Sequence, residues 1–235
     1  MAVCIVLLVL GAISLTLFLI EKIRRYSLKE TAIKGVTSLL FIALAIYCFI
    51  HNGFHPFGIF VLCGLTCGLI GDICLDLKYV YKEQSRAYTY AGFISFAIGH
   101  ILYITGMLVC FGAGLKWYAF VIPFVLGLLG GVLVLVLEKP LQMKYGEYKF
   151  ICWLYGSILF SMTFMTITLA VSQQMQNIAF NLLCIGGILF AVSDLILSGT
   201  YFGEGKERPI DLVSNAVTYY VAQFLIAFSL FFLFI

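Results

Sequence analysis

Eight nearly continuous apolar runs set the limits on what this chain can fold into. They cover residues 2–20, 31–50, 57–77, 87–111, 117–137, 150–171, 178–197 and 212–235. A helix needs about 20 mostly apolar residues to cross a bilayer, and each run meets that length. Only 11% of the 235 residues are charged and 63% are hydrophobic, with a mean hydropathy of +1.10. Such a composition cannot clothe a water-soluble domain. The expectation is an all-α integral membrane protein, a single domain of eight transmembrane helices over residues 1–235. The connecting loops are too short to hold a soluble domain.

The first run lacks a basic segment before its apolar core and a small-x-small cleavage site after it, so it reads as a retained helix rather than a signal peptide. Orientation follows from Lys and Arg in the short loops. Thirteen of the 14 basic residues fall on one side. Lys22, Arg24, Arg25 and Lys29 lie in the first connection, and Lys78, Lys82 and Arg86 in the third. Lys139, Lys144 and Lys149 lie in the fifth, and Lys206 and Arg208 in the seventh. Lys34 opens the second span on the same side, and Lys116 alone is opposite. The expectation is a cell-membrane protein with basic loops cytoplasmic and both termini outside.

Several features read as packing. All eight cysteines fall within spans. Cys63 and Cys67 are one helical turn apart, but no adjacent His or Cys completes a metal set, and disulfides are not expected there. Gly64-x-x-x-Gly68 and Gly127-x-x-x-Gly131 are faces for close helix contact, within one chain or between copies in a homo-oligomer. Tyr26, Tyr79, Tyr81, Tyr88, Tyr90, Trp117, Tyr118, Tyr145, Tyr148 and Tyr201 cluster at span ends as an aromatic belt. The longest polar loop, 199–211, reads as the most mobile part.

Against that background three carboxylates stand out: Asp72 and Asp76 in GLIGDICLDL, and Asp194 in ILFAVSDLIL. A carboxylate in hydrocarbon costs a few kcal/mol or more, so an intramembrane acid is a functional candidate by default. Gly71-Asp72-x-x-Leu75 and Ser193-Asp194-x-x-Leu197 share one pattern, small-Asp-x-x-Leu. From the 1.5 Å rise per residue, Asp72 should lie roughly 9 Å below the end of its span and Asp194 roughly 7–8 Å. Asp76 is a turn nearer the surface, where snorkelling to water is the plainer reading. The two patterns are 122 residues apart in spans 3 and 7, so a parallel repeat of helices 1–4 on 5–8 is expected, with its site between the halves.

Other polar residues fall inside spans. Gly99-His100-x-x-Tyr103 lies in the fourth, and Tyr219, Tyr220 and Gln223 in the eighth. Helix-to-helix hydrogen bonding or packing accounts for each. They are equally placed to line a cavity below the basic loops and to orient water or a polar substrate. His100 should sit deeper than the acids. Lys34, with Arg24, Arg25, Lys78 and Lys82 near the entrance, suits a phosphate headgroup. Neither acid-bearing span supplies a cationic partner. Two buried carboxyls in one pocket do not both ionise easily, which leaves a neutral acid beside an anion, the apparatus of general acid and base catalysis. That reading needs spans 3 and 7 to be neighbours.

The ordered set IGDICL, FAIGHILY, LFAVSDLIL and TYYVAQFLIA resembles the YhhN family of membrane proteins, which contains the lysoplasmalogenases. The resemblance runs from span 2 to span 8. Lys34 falls where the family has a Lys-Pro pair, and Gly35 stands here in place of that Pro. The resemblance implies hydrolysis of the vinyl ether bond of 1-alkenyl lysophospholipids, giving a fatty aldehyde and glycerophospho-ethanolamine or -choline. Its chemistry is protonation of the β-carbon, capture of the oxocarbenium ion by water, and collapse of the hemiacetal. It parallels the paired carboxylates of glycosidases. Asp72 and Asp194 would be the catalytic pair, with the two roles unassigned. Lys34, Asp76, His100, Tyr103, Tyr219, Tyr220 and Gln223 would be substrate-binding. The implied partners are a lysophospholipid and the bilayer, not nucleic acid, and no metal or redox cofactor is called for. Paired acids in a repeat also suit a proton-coupled small-molecule or lipid transporter, and glycine faces suit a non-enzymatic membrane partner.

Overall fold

A computed structural model of the chain describes residues 1–24, 27–203 and 208–233. Eight helices account for nearly all of it: α1 (Ala2–Arg24), α2 (Leu28–His51), α3 (Pro56–Val80), α4 (Ser85–Phe111), α5 (Trp117–Val136), α6 (Lys149–Ser172), α7 (Ile178–Phe202) and α8 (Pro209–Ser229). Each is long and apolar enough to cross a membrane, and the chain is a multi-pass all-helical membrane protein. Among the described residues there is no strand, only an isolated antiparallel bridge between Met143 and Gly203.

Local signals set the helix starts. Ser27 and Glu30 form the Ser-x-x-Glu signature at the head of α2, and the Ser27 side chain accepts the Glu30 N–H at 3.1 Å. His55 Nδ1 caps α3 by accepting the Phe57 N–H at 3.2 Å, with Pro56 at the first helical position. Asn177 caps α7 through the Phe180 N–H. Pro209 opens α8.

The helices outrun the apolar runs at the basic-loop end. Residues 199–202, expected in a loop, continue α7 to Phe202, because an i→i−4 ladder extends without hydrophobicity once a helix is under way. Residues 204–207 of the loop expected to be the most mobile part, Lys206 among them, lie outside the described residues. So do Arg25 and Tyr26, and the side chain of Arg24.

Six helices form a closed ring in the order α2, α3, α4, α6, α7, α8, with α8 packing back on α2. Helix α1 lies outside against α2 and α8, and α5 lies outside against α6. Large side chains such as Phe41, Leu65, Met162, Phe190 and Tyr220 are fully buried inside the ring. Ile59, Ile70, Val109, Leu129 and Val132 are exposed on its outer faces, as bilayer contact requires. Both small-residue faces are used within the chain. A Cβ at Gly131 would stand 2.0 Å from Ser157 Oγ of α6, and one at Gly64 would stand 2.3 Å from the Tyr103 ring of α4.

Candidate active site

A cavity of about 460 Å³ lies within the basic-loop half of the bundle. That is an ordinary size for a small-molecule site. Lys34, Asp72, Asp76, Tyr155, Asp194, Tyr219 and Tyr220 all line it. Asp72 precedes the end of α3 at Val80 by eight residues, and Asp194 precedes the end of α7 at Phe202 by eight. Both acids thus sit roughly 12 Å from their helix ends. They are deeper than the apolar runs alone suggested, by similar amounts.

Helices α3 and α7 do not form a packed pair. Helix α3 packs on α2, α4 and α8, and α7 on α6 and α8. Both acids line the one cavity instead. The small residue before each acid is where the next helix closes in. A Cβ at Gly71 would come 2.6 Å from the Phe96 ring of α4. Ser193 accepts a hydrogen bond from Asn215 Nδ2 of α8 at its carbonyl, 2.8 Å away, and donates its hydroxyl to the Asn215 carbonyl at 3.2 Å. The small-Asp pattern is therefore a close-approach point that fixes the depth of each carboxylate.

Asp72 is 2% exposed and heavily partnered. Its Oδ2 accepts from Ser38 Oγ of α2 and from the Tyr219 hydroxyl of α8, both at 2.8 Å. Gln223 Nε2 donates to Tyr219 from behind at 2.9 Å. Lys34 Nζ lies 3.4 Å from Asp72 Oδ1 and 2.9 Å from Asp76 Oδ1. The Lys34 ammonium is itself covered by Phe18 of α1, whose ring centroid is 6.0 Å away. Tyr220 ties the group together by donating to the Lys34 carbonyl at 3.2 Å, its oxygen also 3.2 Å from Ser38 Oγ. Two expectations are corrected here. Asp76 does not snorkel; it is 4% exposed, because Lys34 reaches it before water does. Asp72 does have a cation, supplied by α2 rather than by its own helix.

Asp194 has a different environment. It is only partly buried and faces the cavity. Its Oδ2 accepts a hydrogen bond from the Tyr155 hydroxyl of α6. His100 Nε2 of α4 lies 3.3 Å from the same hydroxyl. Among the described residues no basic side chain pairs with Asp194. The three elements α4, α6 and α7 thus present a His–Tyr–Asp series to the cavity, with only its last two members exposed to it.

The other sequence candidates take supporting positions. His100 is 1% exposed, lies behind Tyr155 and packs edge-on against Phe190 at 4.6 Å. Tyr103 fills the groove at Gly64, outside the cavity lining, and its hydroxyl has no partner among the described residues. Gln223 reaches the cavity only through Tyr219. Lys78 is stacked on Tyr201, 3.1 Å from its ring centroid, and Lys82 lies in the exposed turn after α3. Tyr155 and Ser38 were missed from sequence. Tyr155 sits six residues inside α6, past the belt position at Tyr148, and that placement within an apolar span was the available signal.

A model of the YhhN family matches residues 30–230, a span that contains all three acids and every one of their hydrogen-bonding partners. No curated protein and no solved structure matches the chain.

Proposed function

The chain belongs to the YhhN family, and from that premise we propose that it is a membrane hydrolase cleaving the vinyl ether bond of lysoplasmalogens to a fatty aldehyde and a glycerophospho-ethanolamine or -choline. The observation that carries this is the unlike setting of two carboxyls on one cavity: Asp72 beside an ammonium and two hydroxyls, Asp194 beside a single phenol. In low dielectric an unpaired carboxylate is costly, whereas one beside a cation is sustained. Asp194 is therefore the neutral acid at the start of the cycle and Asp72 the anion.

The steps balance on these two groups. Asp194 gives its proton to the β-carbon of the vinyl ether, and the positive charge develops on the α-carbon and ether oxygen. Asp72 stabilises that cation and takes a proton from the water that attacks the α-carbon. The hemiacetal then collapses. Its hydroxyl proton returns to Asp194, and the proton held by Asp72 goes to the departing glycerol oxygen. The aldehyde and alcohol leave with both acids restored. Tyr155 and Tyr219 hold the acids in orientation, and Lys34 keeps Asp72 charged rather than waiting for a phosphate, since its ammonium is already engaged by two carboxyls.

The basic-loop end, and hence the cavity, faces the cytoplasmic leaflet in this reading. The helix adjacencies support the four-plus-four repeat: α3 packs on α4 as α7 does on α8, and α4 on α6 as α8 does on α2. The decisive experiment incubates the purified protein with 1-alkenyl lysophosphatidylethanolamine and measures aldehyde. Release that is lost in Asp194→Asn, with the fold intact, is expected. No release from the wild-type chain, together with proton-coupled uptake in proteoliposomes, would favour a transporter instead.

A further inference from the structure

We propose that the cavity has a second opening, a side window between α5 and α7, through which a single lipid hydrocarbon chain lies and the apolar product leaves into the bilayer. This rests on the hydrolase reading only for the identity of the product. Helix α5 packs on α6 and not on α7, yet the cavity is lined from both α5 and α7, through Leu133 and Val134 on one side and Leu195 and Ser198 on the other. Leu133 is 52% exposed and Leu195 49% exposed, so the cavity wall at this point is also the outer surface of the bundle.

The window has a roof and a floor. The roof is the connection between α5 and α6, strapped to α7. Lys144 N–H donates to the Phe202 carbonyl at 2.8 Å, and Tyr145 packs on Phe202 with its hydroxyl 3.4 Å from Ser198 Oγ. The floor is Phe160 of α6 seated on Gly130 of α5, where a Cβ would come 2.6 Å from the ring. Below the strap the lining contributed by α5 is Gly130, Leu133 and Val134, with Leu137 directly after its end, without a charged or hydrogen-bonding side chain. The charged groups Lys22, Lys34, Asp72 and Asp76 come from α1, α2 and α3, and α7 adds the acid Asp194. One cavity thus runs from a charged end to an apolar side wall that opens on the membrane.

That gradient matches a single-chain amphiphile, with its polar part toward the charged end and its chain under the strap. The occupant is one alkyl or alkenyl chain, since a helix of another protein could not continue past Phe160 into the acids. The route also separates the products physically: the aldehyde partitions sideways into hydrocarbon, and the polar alcohol returns to the charged end.

The test uses the full chain in lipid nanodiscs and a non-hydrolysable 1-O-alkyl lysophosphatidylethanolamine with a diazirine at the chain end. Photolabelling is expected on the peptides carrying Leu133 and Leu195. Labelling confined to α1 or α8, or no saturable labelling, would overturn the window. So would crosslinks joining two copies of the chain through these residues. In parallel, Leu195→Trp and Leu133→Trp should each lower kcat/KM for a hexadecenyl substrate by about tenfold more than for a butenyl analogue; equal losses on both would count against it. Labelling without any hydrolysis would remove the proposed reaction and keep the window, and hydrolysis with labelling elsewhere would do the reverse.

Discussion

Lys34 of α2 stands 2.9 Å from one carboxylate oxygen of Asp76 and 3.4 Å from one of Asp72, so a single buried ammonium holds two acids of the neighbouring helix. Removing one member of a buried charge cluster leaves the others uncompensated, at a cost of about 3–5 kcal/mol. Lys34→Met is therefore expected to lower the unfolding midpoint and abolish turnover. Lys34→Met combined with Asp76→Asn should recover much of the stability, because the net charge of the cluster is restored. Thermal unfolding in detergent, followed by intrinsic fluorescence, reads both variants.

Tyr155→Phe removes the hydrogen bond to Asp194 and leaves the ring in place. A hydrogen bond to a charged or reacting carboxyl contributes about 1.5–3 kcal/mol, so kcat should fall about tenfold to a hundredfold while the melting temperature moves little. His100→Ala, which acts through Tyr155, should lower kcat by less. If His100→Ala proved as severe as Tyr155→Phe, His100 would have to touch substrate itself.

Asp72→Asn and Asp194→Asn keep the shape of each side chain and remove its acid or base function. Each should reduce aldehyde release by about two to four orders of magnitude. The double variant should lose far less than the product of the two single losses, because groups that act as a unit are not additive. Retained melting temperatures would confirm that the loss is chemical.

Gly131→Leu places its Cβ 2.0 Å from Ser157 Oγ and 2.8 Å from the Trp153 carbonyl. Helix α5 would be pushed from α6, at a cost of about 1–3 kcal/mol. The expected result is lower stability with labelling of the window broadened along α5, read by the same photoprobe.

Glu138 lies outside the spans and anchors the roof of the window. It accepts Lys149 Nζ at 2.8 Å and the Tyr145 N–H at 3.2 Å. The hydrogen bond from Lys149, with that from the Tyr145 backbone, holds its carboxyl below the ordinary value of 4.5. A depressed carboxyl stabilises the fold above its unfolded value and loses that contribution as the pH falls. The protection factor of the Tyr145 amide, from hydrogen exchange, should be flat above pH 4.5 and fall below it. Glu138→Gln should remove that dependence.

Local sequence sets the solvent in which this protein folds, the number and approximate extent of its helices, and the two acids on which the candidate site is built. Those properties follow from the length and hydropathy of runs and from the cost of a carboxylate in hydrocarbon, and both are local. It could not say that Asp76 is buried, that Asp72 has a cation, or that Tyr155 joins His100 to Asp194. Each of those depends on which helix lies beside which, and on which face points inward. Along apolar spans hydrophobicity is nearly uniform around the axis, so it carries little information about facing. Only the close approaches at Gly71, Ser193 and Gly131, which exist once helices are packed, fix the rotation of each helix. That rotation turns two distant carboxyls toward one cavity and leaves the wall between α5 and α7 open to lipid.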